Sequence, residues 1–225
     1  MIKALIPAFN EEQHIFQVVQ ATAAFLPVVV VDDGSSDATA QLAGQAGATV
    51  LRQRDNRGKG AALRAGFGWA LEHQCDAVLT LDADGQHDPA EIGKFLDVYH
   101  TQRSDLIIGA RRFEQMPFVR RLANSVGQWA FSWALGQPIR DNQSGYRLIS
   151  RRLLAAMLSS REQGFQFEVE MIVVCIERDF VLAWVPIRTI YAGESSHIHP
   201  WKHTRDFTRM VCQTYRRVRK HKTVL

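Results

Sequence analysis

Three aspartates, Asp82, Asp84 and Asp88, fall within seven residues in the stretch "LTLDADGQHDP". They follow an apolar segment, Ala77-Val78-Leu79. Like charges crowded at a strand end repel and raise each other's pKa unless a cation or hydrogen-bond donors compensate. Asp82 and Asp84 stand two apart, so in extended backbone their side chains point the same way and can share one ion, with the Gln86 amide oxygen two residues further on. Oxygen-only ligands suit Mg²⁺ or Mn²⁺ holding a diphosphate. Asp88, before Pro89, is explained equally well as a helix cap, a reading that does not extend to Asp82.

Two further polar clusters end apolar runs: Asn10-Glu11-Glu12 after "KALIP", and Asp32-Asp33-Gly34-Ser35 after "VVVV". Ser36 or Asp37 can cap the helix that follows, which leaves Asp32 or Asp33 to accept from a base N–H or a ribose hydroxyl. "RDNRGKGAAL" has the look of a phosphate loop, but Gln53 and Gly60 depart from the Walker pattern and Leu63 breaks the dinucleotide fingerprint. Lys59 is therefore either a ligand contact or part of a tight turn. Arg111 directly follows a strand-like run, where a guanidinium can clamp a phosphate; Arg112, Arg120, Arg121 and Arg147 are equally readable as surface charge. His197, His199 and His203 lack the spacing of a helical zinc pair, and Lys202, His203 and Arg205 form either a phosphate-binding loop or a solvated one.

The elements that must position these residues alternate in type. "KALIP", "VVVV", "TVL", "AVLTL" and "LIIGA" read as strands buried on both faces, and residues 11–24, 37–46, 58–74 and 89–100 have helical periodicity. That order predicts an α/β doubly wound sheet with its ligand site outside the carboxyl ends of the strands, where the three acidic clusters fall. Beyond residue 111 the pattern predicts a helix over 119–135, a loop "GQPIRDNQSGYR", helices over 151–158 and 167–177, a strand over 181–191 and a basic C-terminal helix.

Composition excludes several classes. With 225 residues, 46% hydrophobic and 22% charged, the chain reads as one compact unit. Cys75, Cys175 and Cys212 are odd in number and scattered, which argues against a disulfide framework and for a reducing compartment. "MIKALIPAF" lacks a signal-peptide core, and the apolar run Phe25 to Val31 is far shorter than the ~20 residues a bilayer span needs. A soluble or peripheral protein is expected. The net charge is +4, and from Arg205 onward seven Lys or Arg stand against one Asp, a pattern that suits an interfacial helix on anionic lipid or a helix docked on the core.

Taken in order, "IPAFNEE", "VVVVDDGSSDAT", "NRGKGAAL", "LTLDADGQHDP", "LIIGAR", "QSGYR", "GFQFEVEM" and "VPI" resemble the family 2 glycosyltransferases, most closely their dolichol- and polyprenyl-phosphate mannosyl- or glucosyltransferase branch. The resemblance covers roughly residues 1–205. It implies a GT-A fold, a Rossmann-like doubly wound mixed sheet in a single domain, over 1–204, with a nucleotide-sugar half over 1–110, an acceptor half over 111–204 and a basic amphipathic helix over 205–225. It also implies a nucleotide-sugar donor, UDP- or GDP-linked, Mg²⁺ or Mn²⁺, and inversion at the anomeric carbon. By the same resemblance Pro7, Ala8, Asn10 and Glu11 would wall the nucleotide, Asp33 would read base or ribose, and Asp82, Asp84 and Gln86 would hold metal and diphosphate. Lys59 and Arg205 would touch the donor, and Arg111, with Arg121 and Ser125, would clamp the acceptor phosphate; Asp84 and Arg111 are the expected catalytic pair. A lipid phosphate is already anionic and needs no strong base, whereas a saccharide hydroxyl would need one, with Asp141 or Glu168 the candidates.

The implied partners are the donor, a polyprenyl phosphate and an anionic membrane surface on the cytoplasmic side, with no nucleic acid. The absence of a Gln-x-x-Arg-Trp motif favours transfer of a single sugar. A haloacid-dehalogenase phosphatase also carries Asp-x-Asp, but near its N-terminus, and with a later Gly-Asp-x-x-x-Asp that is lacking here. A non-catalytic nucleotide-binding scaffold is the remaining rival.

Overall fold

The computed structural model describes residues 1–111, 129–160 and 166–188 and Tyr215. The expected basic helix over 205–225, apart from Tyr215, lies outside the described residues, as do Arg121, Ser125, Arg205 and the histidines of 197–203.

Seven strands form one sheet: β1 (Ile2–Ala8), β2 (Val28–Asp32), β3 (Thr49–Arg52), β4 (Ala77–Thr80), β5 (Leu106–Arg111), β6 (Arg147–Ser150) and β7 (Leu182–Ile187). The helices are α1 (Ile15–Ala23), α2 (Thr39–Gln45), α3 (Lys59–Glu72), α4 (Ile92–Gln102), helical residues 129–135 (α5), α6 (Arg151–Met157) and α7 (Gln166–Glu177). The strand order is β3-β2-β1-β4-β6-β5-β7, parallel except for β6, which runs antiparallel to both its neighbours. Chain order reverses direction across the sheet between β1 and β4, and an open α/β sheet leaves its ligand crevice at such a switch point.

Apolar side chains cover both faces of the sheet. Ala4, Ile6, Val28 and Val30 join α1 and α4 through Ile15, Val19, Ile92 and Phe95. Leu5, Val29 and Val31 join α3 and α7 through Leu63, Phe67, Phe167 and Ile172. On α3 the buried positions Leu63, Phe67 and Ala70 recur at helical spacing, and fully burying a side chain such as Phe67 is worth roughly 2–3 kcal/mol.

Two expectations are corrected. Arg147, expected to close a loop, instead opens a strand over Arg147–Ser150: "RLIS" is too short to show a period, and it is fixed by pairing with β4 and β5 on either side. β3 is not buried on both faces; it is the edge of the sheet, and Thr49 and Arg52 are exposed.

Candidate active site

At the end of β1 the chain must turn sharply past the end of β2. Asn10 makes the turn in the left-handed region (φ 54°), which asparagine tolerates better than most residues. The Asn10 N–H donates to Ser35 Oγ at 2.9 Å, and Asn10 Oδ1 accepts from the Ser36 N–H at 3.0 Å. The Glu11 N–H donates to Thr39 Oγ1 at 2.8 Å. After β2, Gly34 (φ +77°) lies so close to the 55–56 backbone that a Cβ there would stand 2.8 Å from the Asp55 carbonyl carbon. Asp33 holds the same segment, accepting from the Arg57 N–H at 3.0 Å and the Gly58 N–H at 2.7 Å. The "RGKG" stretch is thus fixed by Asp33 and opens directly into α3.

Across the switch point stands the β4 end. Lys59, the first residue of α3, reaches Asp82 Oδ1 at 2.5 Å and Glu168 Oε1 of α7 at 2.8 Å. Burial would raise the Asp82 carboxyl, but the Lys59 ammonium, with smaller help from His87 and Arg111, outweighs it and holds the group down at about 2. Burial likewise opposes the Lys59 charge, and the two carboxylates overcome it, keeping Lys59 protonated. Asp84 goes the other way: burial and the Asp82 charge raise its pKa despite the Gln86 N–H, which donates to Asp84 Oδ1 at 2.9 Å. His87 is buried and stacks on Tyr146; burial lowers its pKa, and its Nδ1 accepts from the Asp82 N–H at 3.1 Å. Asp88 caps the short helix at Pro89–Glu91 through the Ala90 N–H, as expected.

Behind Asp82 stands the loop before β6. Gly145 faces the Asp82 carboxylate, and a Cβ on it would sit 2.6 Å from Asp82 Oδ1. Asp141 is buried and saturated: it accepts from Arg111 Nε at 2.7 Å, from an Arg111 terminal nitrogen at 3.1 Å, and from the Gln143 and Ser144 N–H groups at 3.1 Å each. Arg147 is wholly buried and donates to the carbonyls of Ser144, Asn142 and Glu168, so it braces the loop from behind.

The ends of β1, β2 and β4 and the start of α3 border an open cavity of about 340 Å³ lined by Pro7, Ala8, Phe9, Glu11, Asp33, Asn56, Gly58, Lys59, Ala62, Asp82, Ala83 and Asp84. Of the residues expected to form a site, Pro7, Ala8, Glu11, Asp33, Lys59, Asp82 and Asp84 are brought together here. Asn10 is not in the lining and spends its side-chain oxygen on the β2 loop. Arg111 is close enough to influence Asp82 but is tied to Asp141. Phe9, Asn56 and Gly58 lie inside stretches whose pattern was visible; the Lys59–Glu168 pair and the Gly145 contact join distant segments and left no signal in the sequence.

The donor set fits a small hard dication. Asp82 and Asp84 both bring a carboxylate to the cavity lining, and the bare Gly145 lets the loop pass close to Asp82. No group of three or more His, Cys, Asp or Glu among the described residues is arranged to hold a metal, so an ion here would draw its other ligands from phosphate and water, as Mg²⁺ commonly does.

Comparison with known proteins agrees with this architecture. The sequence profile described as "Glycosyl transferase family 2" matches residues 4–162. Glycosyltransferase AglJ of Haloferax volcanii is 34% identical, over 96% of this chain and 71% of its own. Polyprenol monophosphomannose synthase of Mycolicibacterium smegmatis is 30% identical, over 81% and 75%. The fold matches glucosyl-3-phosphoglycerate synthase of Mycobacterium tuberculosis, crystallised with Mn²⁺, UDP-glucose and phosphoglyceric acid, at a TM-score of 0.72 and 20% identity over 95% of this chain and 78% of that one.

Proposed function

The chain belongs to glycosyl transferase family 2, and from that premise we propose that it moves one sugar from a nucleotide-sugar, UDP- or GDP-linked, to a polyprenyl-phosphate acceptor, with inversion. The observation that carries the reading is the pairing of a diphosphate-sized, acid-lined cavity at the switch point with the engagement of both candidate bases. Asp141 is saturated by Arg111 and two backbone N–H groups, and Glu168 is buried against Lys59. An acceptor that is already an anion needs neither. Relatives 28% to 31% identical that are named for transfer to dolichyl or undecaprenyl phosphate support the acceptor class.

In this reading Pro7, Ala8 and Glu11 form the floor under the nucleotide, Asn10 shapes the turn beside it, and Asp33 accepts from base or ribose while bracing the 57–58 backbone. Asp82, Asp84 and Gln86 would hold a Mg²⁺ or Mn²⁺ ion, which would supply positive charge to offset that of the departing diphosphate. Lys59 and Arg205 add positive charge on the donor side. Arg111, Arg121 and Ser125 hold the acceptor phosphate, with Asp141 fixing the plane of the Arg111 guanidinium through Nε and one terminal nitrogen. A phosphate oxygen forms the new bond to the anomeric carbon while the bond from that carbon to the nucleoside diphosphate breaks, so no proton changes hands. The gain comes from alignment and from fixed charge around a leaving anion.

A saccharide hydroxyl acceptor is the second reading. Glu168 Oε2 is buried without a hydrogen-bond partner among the described residues, the one feature in favour of a base there. Calorimetry of UDP and of GDP, with and without Mn²⁺, tests the donor half: metal-dependent binding of one nucleotide is expected, and binding of neither would leave a scaffold.

A further inference from the structure

A carboxylate of the candidate metal site already carries a cation. Lys59 Nζ lies 2.5 Å from Asp82 Oδ1, and both side chains line the cavity. Behind the carboxylate the β6 loop presses close, since a Cβ on Gly145 would stand 2.6 Å from Asp82 Oδ1 and 2.7 Å from Oδ2. The open approach to Asp82 is therefore from the cavity, which the ammonium shares, and a dication coming that way meets a like charge at close range. The ammonium has a second holder. Glu168 Oε1 is 2.8 Å from the same nitrogen, while Glu168 Oε2 is buried with no hydrogen-bond partner among the described residues. A buried carboxylate oxygen without a donor is costly and calls for an explanation. The root of the lysine is fixed, because the Arg57 and Gly58 N–H groups just before it donate to Asp33. Its flexible four-carbon stem is what remains to move.

We propose that Lys59 is a place-holder for the metal ion: its ammonium steadies Asp82 until Mg²⁺ or Mn²⁺ arrives, then leaves Asp82 and stays wholly on Glu168, which is thereby a positioning residue. No covalent bond changes and no proton moves; one ion pair is exchanged for another. The exchange accounts for both oxygens of Glu168, since Oε1 keeps the ammonium and Oε2 accepts from it once Asp82 is given up. It also spares Asp82 from standing as an uncompensated carboxylate between one ion and the next. A general base at Glu168 fits less well, because that side chain is bound to an ammonium and is not among the residues lining the cavity. The inference rests on the metal-dependent donor site proposed above and deepens it.

The test is calorimetry of Mn²⁺ binding to the full chain without nucleotide, at neutral pH. Lys59→Met should bind Mn²⁺ about tenfold more tightly than wild type, because the competing charge is gone. Glu168→Gln should bind it about tenfold more weakly, because the ammonium is left with one carboxylate and stays on Asp82. In Lys59→Met/Glu168→Gln the second substitution should cost nothing relative to Lys59→Met. That double variant removes both ends of the buried pair, so it reads the tighter binding should Lys59→Met fold poorly. Crystals of the wild type grown with and without Mn²⁺ read the movement itself: with the ion bound, Lys59 Nζ should lie within hydrogen-bond distance of both Glu168 oxygens and out of reach of Asp82. Binding no tighter than wild type in both Lys59→Met proteins, wild-type affinity in Glu168→Gln, or an ammonium still on Asp82 beside the bound ion each overturns the exchange and leaves the metal site standing. No Mn²⁺ binding by any of these proteins, alone or with UDP or GDP, overturns the metal site and the exchange with it.

Discussion

Lys59 Nζ lies 2.5 Å from Asp82 Oδ1 and 2.8 Å from Glu168 Oε1, so the first residue of α3 bridges the β4 end and α7. Breaking a buried ion pair by removing one partner leaves an uncompensated charge and costs about 3–5 kcal/mol. Lys59→Met should therefore lower the melting temperature by on the order of 10 °C, each kcal/mol being worth roughly 2–4 °C at this size. Thermal denaturation followed by far-UV circular dichroism reads this directly, and an unchanged melting temperature would mean that the bridge is not formed in solution.

Asp84→Asn isolates the chemistry from the fold. The substitution keeps an oxygen to accept from the Gln86 N–H and removes only the charge. Transfer should fall by at least ~100-fold, the scale of losing one stabilising group at developing charge. Stability should stay within about 0.5 kcal/mol of wild type. Metal-dependent nucleotide binding, measured by calorimetry, should be lost together with transfer.

Gly145→Ala places a Cβ 2.6 Å from Asp82 Oδ1, and the carboxylate has to move. A displacement approaching 1 Å at a reacting centre can cost ~100-fold in rate. The expected result is weakened Mn²⁺-dependent nucleotide binding in a protein that melts near the wild-type temperature; wild-type binding would show that the Gly145 side of Asp82 is not used.

Asp141→Asn separates a bracing role from a base. As the partner of Arg111, Asp141 should cost about 3 kcal/mol of stability when neutralised. At a temperature where the variant is folded, transfer to a phosphate acceptor should persist within about tenfold, because a general base is worth 10²–10⁴ and none is being removed. A loss beyond about a thousandfold in folded protein would make Asp141 the base.

Asp105 offers a pH test away from the cavity. It is buried at the start of β5 and accepts from Ser150 Oγ at 2.8 Å, the Val181 N–H at 2.9 Å and the Arg152 guanidinium. Burial would raise its pKa, but these donors prevail and lower it. A carboxyl depressed on folding contributes stability above its unfolded value of about 3.9 and loses that contribution as the pH falls below it. The gap in melting temperature between wild type and Asp105→Asn should be wide at pH 7 and close below about pH 4, where thermal scans at stepped pH would detect it.

Much of the site was legible in the sequence because strand ends carry their chemistry in short order. The runs "KALIP", "VVVV" and "AVLTL" are long enough to show burial, and the polar residues after them had to fall at one edge of a parallel sheet. Two things were hidden. The strand Arg147–Ser150 is four residues long and owes its existence to its neighbours on both sides, not to a period of its own. The Lys59–Glu168 and Gly145–Asp82 contacts join segments more than 60 residues apart, and only packing brings those together. Helix α5 hid its outward tryptophans for a similar reason: an aromatic at helical spacing reads as core until the buried face is seen to be the other one.

The central claim is tested most directly by incubating the protein with Mn²⁺, radiolabelled UDP- or GDP-sugars and polyprenyl phosphate, and extracting the lipid. The account predicts label in the lipid phase as a single sugar with inverted anomeric configuration, from one nucleotide class only, abolished in Asp84→Asn. Label that remains water-soluble while the nucleotide binds in a metal-dependent way, or lipid product formed equally by Asp84→Asn, would contradict it.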